Sequence, residues 1–154
     1  MVLLSVGTQK QQFTRLIELV LNCNSLKGEK IISQSGYTKC LDSRIESFDF
    51  IPLEEMEKYI EKADLVICHG GVGTIFSALM KGKKVIAIPR LEKYGEHIND
   101  HQIEICEELE KEGYILYYKD GIDSLDDLIE KARNTTFKEY KSDKTYLDIL
   151  RREI

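Results

Sequence analysis

Six short runs rich in apolar and β-branched residues punctuate the chain: Val2 to Val6, Lys30 to Gln34, Ile45 to Phe50, Leu65 to Cys68, Val85 to Ile88 and Tyr114 to Tyr118. Their length and composition predict strands. Between them the apolar positions recur at helical spacing. Phe13, Leu16, Ile17, Leu19 and Val20 line a helix from about Gln11 to Cys23, and Met56, Tyr59 and Ile60 line one that Pro52 opens in its first turn. Val72, Ile75, Phe76 and Leu79 form a third stripe, closed by Gly82. Ile103, Cys106 and Leu109 form a fourth, from about Asn99 to Lys111. Ser124 caps a last core helix through Ala132, with Asp126 and Asp127 in its first turn. Strands alternating with helices predict an α/β fold, a Rossmann-like doubly wound parallel sheet ordered 3-2-1-4-5-6. Residues 1–142 form this domain. Residues 143–154 are expected to be a C-terminal docking helix with Tyr146, Leu147, Leu150 and Ile154 on one face. About a dozen residues do not hold a helix alone in water, so that segment needs a surface to dock on.

The stretch from Asp64 to Pro89 organises the rest. A buried strand ends at His69 in a glycine turn, Gly70, Gly71 and Gly73, which opens a helix. Glycines let a backbone approach a ligand closely. The first N–H groups of a helix lack intrahelical partners, and the helix dipole favours negative charge there. Gly71 to Ile75 therefore reads as an anion site suited to phosphate, with a hydroxyl from Thr74 and a ring donor from His69. The plainer reading is a tight strand-to-helix turn with no ligand. Gly7 and Thr8 follow the first strand and lie at the same carboxyl edge of the sheet, where open α/β sheets bind ligands.

Composition narrows the class. The chain has 154 residues, enough for one domain with a real core. Charged residues make up 32% with mixed sign and a net charge of −5, which argues against disorder and against nucleic-acid binding. The opening Met-Val-Leu-Leu-Ser-Val-Gly is too short for a signal peptide, and no apolar run reaches the ~18 residues of a spanning helix. The four cysteines form no Cys-x-x-Cys pair and read as reduced. A soluble, cytoplasmic chain is expected.

Other chemistries fit less well. The first strand–helix turn, Gly7-Thr-Gln-Lys-Gln-Gln, lacks the dinucleotide fingerprint, and Phe76 stands where the later turn would need its third glycine. Gly82-Lys83-Lys84 precedes a strand rather than a helix, so it is no P-loop. His97 and His101 have i,i+4 spacing but no third ligand or His-Glu-x-x-His pattern, and no metal site is expected. The loop after the fifth strand is more informative. Glu96, Asn99, Asp100, His101 and Gln102 place mixed donors and acceptors beyond a strand's carboxyl end, a set suited to a polyhydroxylated ligand. A solvated loop with helix caps is the bland alternative. A phosphate anchor beside hydroxyl readers implies a nucleotide sugar.

As a set, His69-Gly-Gly-Val-Gly-Thr74, Gly82-Lys83, Ile88-Pro89-Arg90, Tyr94-Gly95-Glu96-His97, Asp100-His101-Gln102 and Gly113-Tyr114 resemble the donor-binding half of GT-B glycosyltransferases. The opening Val6-Gly7-Thr8-Gln9 with Phe13-x-Arg15-Leu16 extends the likeness over nearly the whole chain. The chain is most similar to small catalytic subunits of two-component enzymes of the family 28 C-terminal type. These act on lipid-linked sugars, as in capsule and exopolysaccharide galactosyltransferases and the dolichol-linked N-acetylglucosaminyltransferase. The resemblance implies an inverting UDP-sugar transferase active with a partner, with no cofactor and no metal. It places the UDP diphosphate on His69, Gly70, Gly71, Val72, Gly73 and Thr74, approached by Gly7 and Thr8. Asn99, Asp100, His101 and Gln102 would read sugar hydroxyls, with His101 where many relatives carry an acid. Ser77 stands where many carry a ribose-binding Glu, and Glu96 is the candidate substitute. The catalytic base is expected on a membrane-anchored, acceptor-binding partner. That partner would recruit the chain to the inner face of the cytoplasmic membrane, where the acceptor is a lipid-linked sugar. UDP-galactose, in a β-1,4 transfer, is the expected donor; UDP-glucuronic acid and UDP-N-acetylglucosamine are the alternatives.

Two readings of other kinds compete: a non-catalytic module that senses a nucleotide, and a stand-alone nucleotide-sugar enzyme such as an epimerase. The missing second half argues against the epimerase.

Overall fold

A computed structural model describes residues 1–141; the docking helix expected at 143–154 lies outside the described residues. Six strands form one parallel sheet: β1 (Val2–Ser5), β2 (Ile31–Gln34), β3 (Ile45–Phe48), β4 (Leu65–His69), β5 (Lys84–Ile88) and β6 (Leu116–Tyr117). Their order is β3-β2-β1-β4-β5-β6, as the sequence predicts. The helices are α1 (Thr14–Leu21), α2 (Leu53–Lys62), α3 (Val72–Met80), α4 (His101–Lys111) and α5 (Leu125–Arg133).

Alternation of side chains across the pleat splits the core into two layers. Leu4, Ile67, Ile86 and Ile88 face α1 and α5, meeting Phe13, Leu16, Leu128 and Ile129. Leu3, Val66, Cys68, Val85 and Ala87 face the opposite layer, meeting Ile60 of α2, Ile75 and Phe76 of α3, and Ile105 and Leu109 of α4. Central strands buried on both faces read as unbroken apolar runs, which is why β1, β4 and β5 are legible.

Element ends differ from expectation for local reasons. Helix α1 begins at Thr14, because Thr38 Oγ1 takes the Phe13 N–H at 3.0 Å and holds the preceding loop open. A short 3₁₀ turn, Asn24–Leu26, was not foreseen. Its Asn24 and Ser25 N–H groups donate to the Asp126 carboxylate of α5. Helix α4 starts two residues later than expected. The Asn99 side chain accepts the His101 N–H at 3.0 Å, and the Asp100 carboxylate turns back to accept the Glu92 N–H at 2.9 Å. Pro52 sits at the N-cap of α2 rather than inside its first turn. Ser124 does cap α5, accepting the Asp127 N–H at 3.4 Å. The cysteines are free.

Register fixes what meets at the carboxyl edge. Ser5 pairs with Cys68, and His69 pairs with Ile88. Val6 and Gly7, His69 and Gly70, and Pro89 and Arg90 therefore leave three adjacent strands side by side.

Candidate functional site

His69 is the pivot of this edge. Its ring lies where Gly7 and Gly71 would each carry a side chain: a Cβ on Gly7 would sit 2.6 Å from Cε1 and Nε2, and one on Gly71 would sit 1.9 Å from Cε1. Gly7 also has φ +83°, a left-handed conformation that favours glycine. Gly70 is excluded from carrying a side chain by Gln102 and Cys106, whose Cβ and Sγ would stand 2.8 and 2.9 Å away. These three glycines are therefore explained by packing within the protein. Gly73 is different. It lies in the first turn of α3, and a Cβ there would meet nothing within 4 Å. A glycine in a helix costs about 1 kcal/mol against alanine, and nothing in the packing requires this one.

The N-terminus of α3 is open. Gly71 is its N-cap with no side-chain cap, and the first helical bond runs from Ile75 N–H to Gly71 O at 3.4 Å. The N–H groups of Val72, Gly73 and Thr74 have no acceptor among the described residues. Thr74 and Ser77 are half-buried on this helix, and Thr8 is exposed in the loop after β1.

Burial, then the charges of Arg90 and His97, lower the His69 pKa to about 3. The imidazole is neutral at physiological pH, so any contact it makes with an anion is a hydrogen bond rather than an ion pair.

Two residues expected to read the ligand are otherwise engaged. Gln102 is buried, and its Oε1 accepts the N–H groups of Gly70 and Arg90, both at 3.0 Å, while Nε2 faces His69 Nδ1 at 3.4 Å. It is a strut between the ends of β4 and β5. Glu96 is also buried. Its carboxylate accepts Arg15 Nε at 3.0 Å, Arg15 Nη2 at 2.8 Å and the Leu91 N–H at 3.0 Å. Glu96, the expected substitute for a ribose-binding carboxylate, thus meets Arg15 and Leu91 within the protein. Asn99 and Asp100 shape the start of α4 as described above, and His101 stands exposed at its first position.

Sequence reasoning missed three features. Arg90 is fully buried with its guanidinium spread over backbone carbonyls: Val6 O at 2.6 Å, Gln11 O at 2.8 Å and Glu96 O at 2.9 Å. It stacks on Phe13 at 4.8 Å, and burial lowers its pKa to about 10 against the pull of Glu96. Arg90 thus clamps the loop after β1 to the loop after β5. Arg15 is the second, bridging Glu96 and Pro89 O. A buried arginine leaves no periodic signal, though both residues lie in the motifs quoted above. The third is an aromatic pair at the same edge. Tyr37 and Phe50 meet edge to face at 5.2 Å and are each 49% exposed. Gly36 links them to the turn, since a Cβ there would lie 2.8 Å from Gly7 O and 3.4 Å from Phe50.

Among the described residues, no three His, Cys, Asp or Glu side chains are placed to share a metal ion. His97 Nδ1 instead accepts the Asn99 N–H at 3.3 Å. A cavity of about 380 Å³ opens between the loops after β5 and β6, lined by Arg15, Pro89, Leu91, Tyr117 and Tyr118. It takes no residue from the glycine turn.

A phosphate-suited helix end between an aromatic pair and a hydrogen-bonding loop sits on the ligand-binding edge of a Rossmann-like sheet. The family described as glycosyltransferase family 28 C-terminal domain matches residues 1–148. The chain belongs to that family.

Relatives of this family 28 domain include the human UDP-N-acetylglucosamine transferase subunit ALG13, 39% identical over 64 residues, which are 42% of this chain and 5% of the relative. The ALG13 subunit of Candida albicans is 35% identical over 77 residues, 50% of this chain and 25% of that protein. The matched stretches thus span a quarter or less of these relatives. Among solved structures, the glycotransferase of kitacinnamycin superposes with a TM-score of 0.64 at 17% identity, covering 98% of this chain and 37% of that one. UDP-GlcNAc 2-epimerase of Methanocaldococcus jannaschii gives 0.64 at 14% identity, covering 99% of this chain and 44% of that one. At such identities the likeness shows the fold alone, the fold of the C-terminal half of a GT-B glycosyltransferase. Among the described residues, no helix is long and apolar enough to cross a membrane.

Proposed function

We propose that this family 28 domain is the donor-binding subunit of an inverting UDP-sugar glycosyltransferase, and that its donor is UDP-N-acetylglucosamine. The observation that carries the reading is the uncapped N-terminus of α3, with Gly73 open to the outside beside the neutral ring of His69. Free N–H groups and the helix dipole suit the diphosphate. The exposed faces of Tyr37 and Phe50 suit a nucleobase, because aromatic rings stack on bases of any identity. The two ALG13 relatives support N-acetylglucosamine as the sugar. Galactose and a capsule pathway, expected from the resemblance to capsule enzymes, find no support in these relatives.

In the proposed reaction an acceptor hydroxyl attacks the anomeric carbon from the face opposite UDP. The bond from that carbon to the diphosphate oxygen breaks, and the hydroxyl proton passes to a base. Negative charge grows on the departing diphosphate, and the α3 N–H groups with Thr74 and His69 stabilise it there without reorganising. No metal is assigned a step. The base and the acceptor site are assigned to a membrane-anchored partner that binds the lipid-linked sugar, which accounts for a donor shelf open on one side. Thr8, Val72 and Ser77 line the shelf as diphosphate and ribose neighbours. His101 and Asn99 remain the sugar-facing candidates.

The test is a transfer assay on the chain co-purified with its partner, offered a panel of UDP-sugars. Turnover of UDP-N-acetylglucosamine above the others supports the reading. Preference for UDP-galactose or UDP-glucuronic acid reassigns the donor.

A further inference from the structure

We infer that Gln102 is a positioning residue that locks His69 in the tautomer carrying its proton on Nε2, so that the ring meets the bound diphosphate as a hydrogen-bond donor. The inference rests on the proposed nucleotide-sugar reading for its purpose, though not for its geometry.

The lock follows from two backbone groups. Gly70 and Arg90 both aim N–H groups at one atom of the Gln102 side chain, each at 3.0 Å. Only the amide oxygen can accept them, which fixes the amide's orientation. The amide nitrogen is then the atom 3.4 Å from His69 Nδ1. An amide NH2 donates and does not accept, so Nδ1 must offer its lone pair. A neutral imidazole has one proton, and it is left on Nε2. That nitrogen has no protein partner among the described residues and lies against Gly7. The opposite tautomer would set two N–H groups against each other at Nδ1 and present a lone pair to the phosphates.

The groups facing the ring agree with a neutral, fixed state. Arg90 approaches from the end of β5 and His97 from the loop that follows, and both disfavour a second positive charge. Gly7 and Gly71 pack against the ring on its other sides. Gln102 thereby ties the ends of β4 and β5 to the protonation pattern of His69.

The decisive variant is Gln102→Glu, nearly identical in shape. One carboxylate oxygen keeps both backbone N–H groups, while the other faces Nδ1 as an acceptor and draws the proton there. Ring nitrogen NMR of the ligand-free, full-length protein at pH 8 reads the tautomer directly. Wild type should show a protonated Nε2 and a bare Nδ1, and Gln102→Glu should show a protonated Nδ1. Calorimetry with UDP at pH 8 should show at least tenfold weaker binding for the variant. Lowering the pH should recover part of it, as the ring becomes a cation and regains a proton on Nε2. A wild-type ring protonated on Nδ1, or a mixture of tautomers, overturns the lock whether or not the variant folds. A folded variant with an unchanged ring spectrum, or with a switched ring and unchanged UDP affinity, overturns the role. If wild type shows the Nε2 proton but does not bind UDP, the nucleotide reading fails and the lock stands as geometry alone.

Discussion

The His69 ring fills the space that a side chain on Gly71 would need, to within 1.9 Å of Cε1. The two glycines of the Gly71-x-Gly73 motif therefore serve different ends, one admitting a ring of the protein and the other left open to the outside. Substitution separates them. Gly71→Ala should displace the ring or strain the turn, costing about 1–3 kcal/mol as overpacking does. Gly73→Ala should leave stability unchanged or raise it by up to ~1 kcal/mol, while weakening UDP through its Cβ on the shelf. Urea unfolding with UDP titration of both variants checks this. A destabilised Gly73→Ala with full UDP affinity would remove the ligand explanation for that glycine.

Thr74 and Phe50 probe the two ends of the nucleotide. Thr74→Val keeps the shape and removes a donor to a charged group, worth about 1.5–3 kcal/mol. Phe50→Ala removes a stacking face, worth about 1–3 kcal/mol per base. Thr74→Val should weaken UDP and inorganic pyrophosphate alike, and Phe50→Ala should weaken only UDP. Both side chains are at least partly exposed, so the melting temperature should hold. Equal losses of pyrophosphate affinity in the two would misplace the base.

Much of the fold was legible because its signals are periodic. Strands buried on both faces leave unbroken apolar runs, and α1, α2 and α5 leave amphipathic stripes, so strand order followed from topology rules. The glycine turn was legible as a strand–helix joint for the same reason: glycine, histidine and threonine sit at fixed offsets along it. What sequence could not give was the direction of polar side chains. Glu96 and Gln102 look like ligand readers by residue type and position, yet both point inward. Glu96 meets Arg15, which is 81 residues away in the chain, and Gln102 meets Gly70 and Arg90. Such partners are set by sheet register, which places distant residues together without any local pattern.

The Arg15–Glu96 pair makes the inward role of Glu96 testable. Glu96→Ala removes one member of a largely buried, bidentate ion pair, which costs about 3–5 kcal/mol when the other charge is left behind. The loss should appear in the ligand-free protein by urea unfolding. Any protein that remains folded should bind UDP with near wild-type affinity. A stable Glu96→Ala protein that has lost UDP would restore the ribose role.

Stability should fall in mild acid because of His69. Its folded pKa of about 3 lies below the ordinary 6.5, so between those values the unfolded chain binds more protons than the folded one. The stabilisation is fully present above pH 6.5 and is lost as pH falls towards 3. The limiting slope is about 1.4 kcal/mol per pH unit, which amounts to ~2 kcal/mol by pH 5. Urea unfolding of wild type at pH 7 and pH 5 reads the loss, and His69→Gln should flatten it. A ring that titrates near 6.5 by NMR would contradict the burial on which this rests.

The central claim is that the α3 shelf holds the diphosphate of a uridine nucleotide. The most direct measurement is isothermal titration calorimetry of the purified chain with UDP, UDP-N-acetylglucosamine and NAD. The account predicts saturable binding of UDP and of the UDP-sugar, abolished or strongly weakened by Gly73→Ala, and no binding of NAD. NAD bound as tightly as UDP, or UDP binding indifferent to the α3 turn, would contradict it.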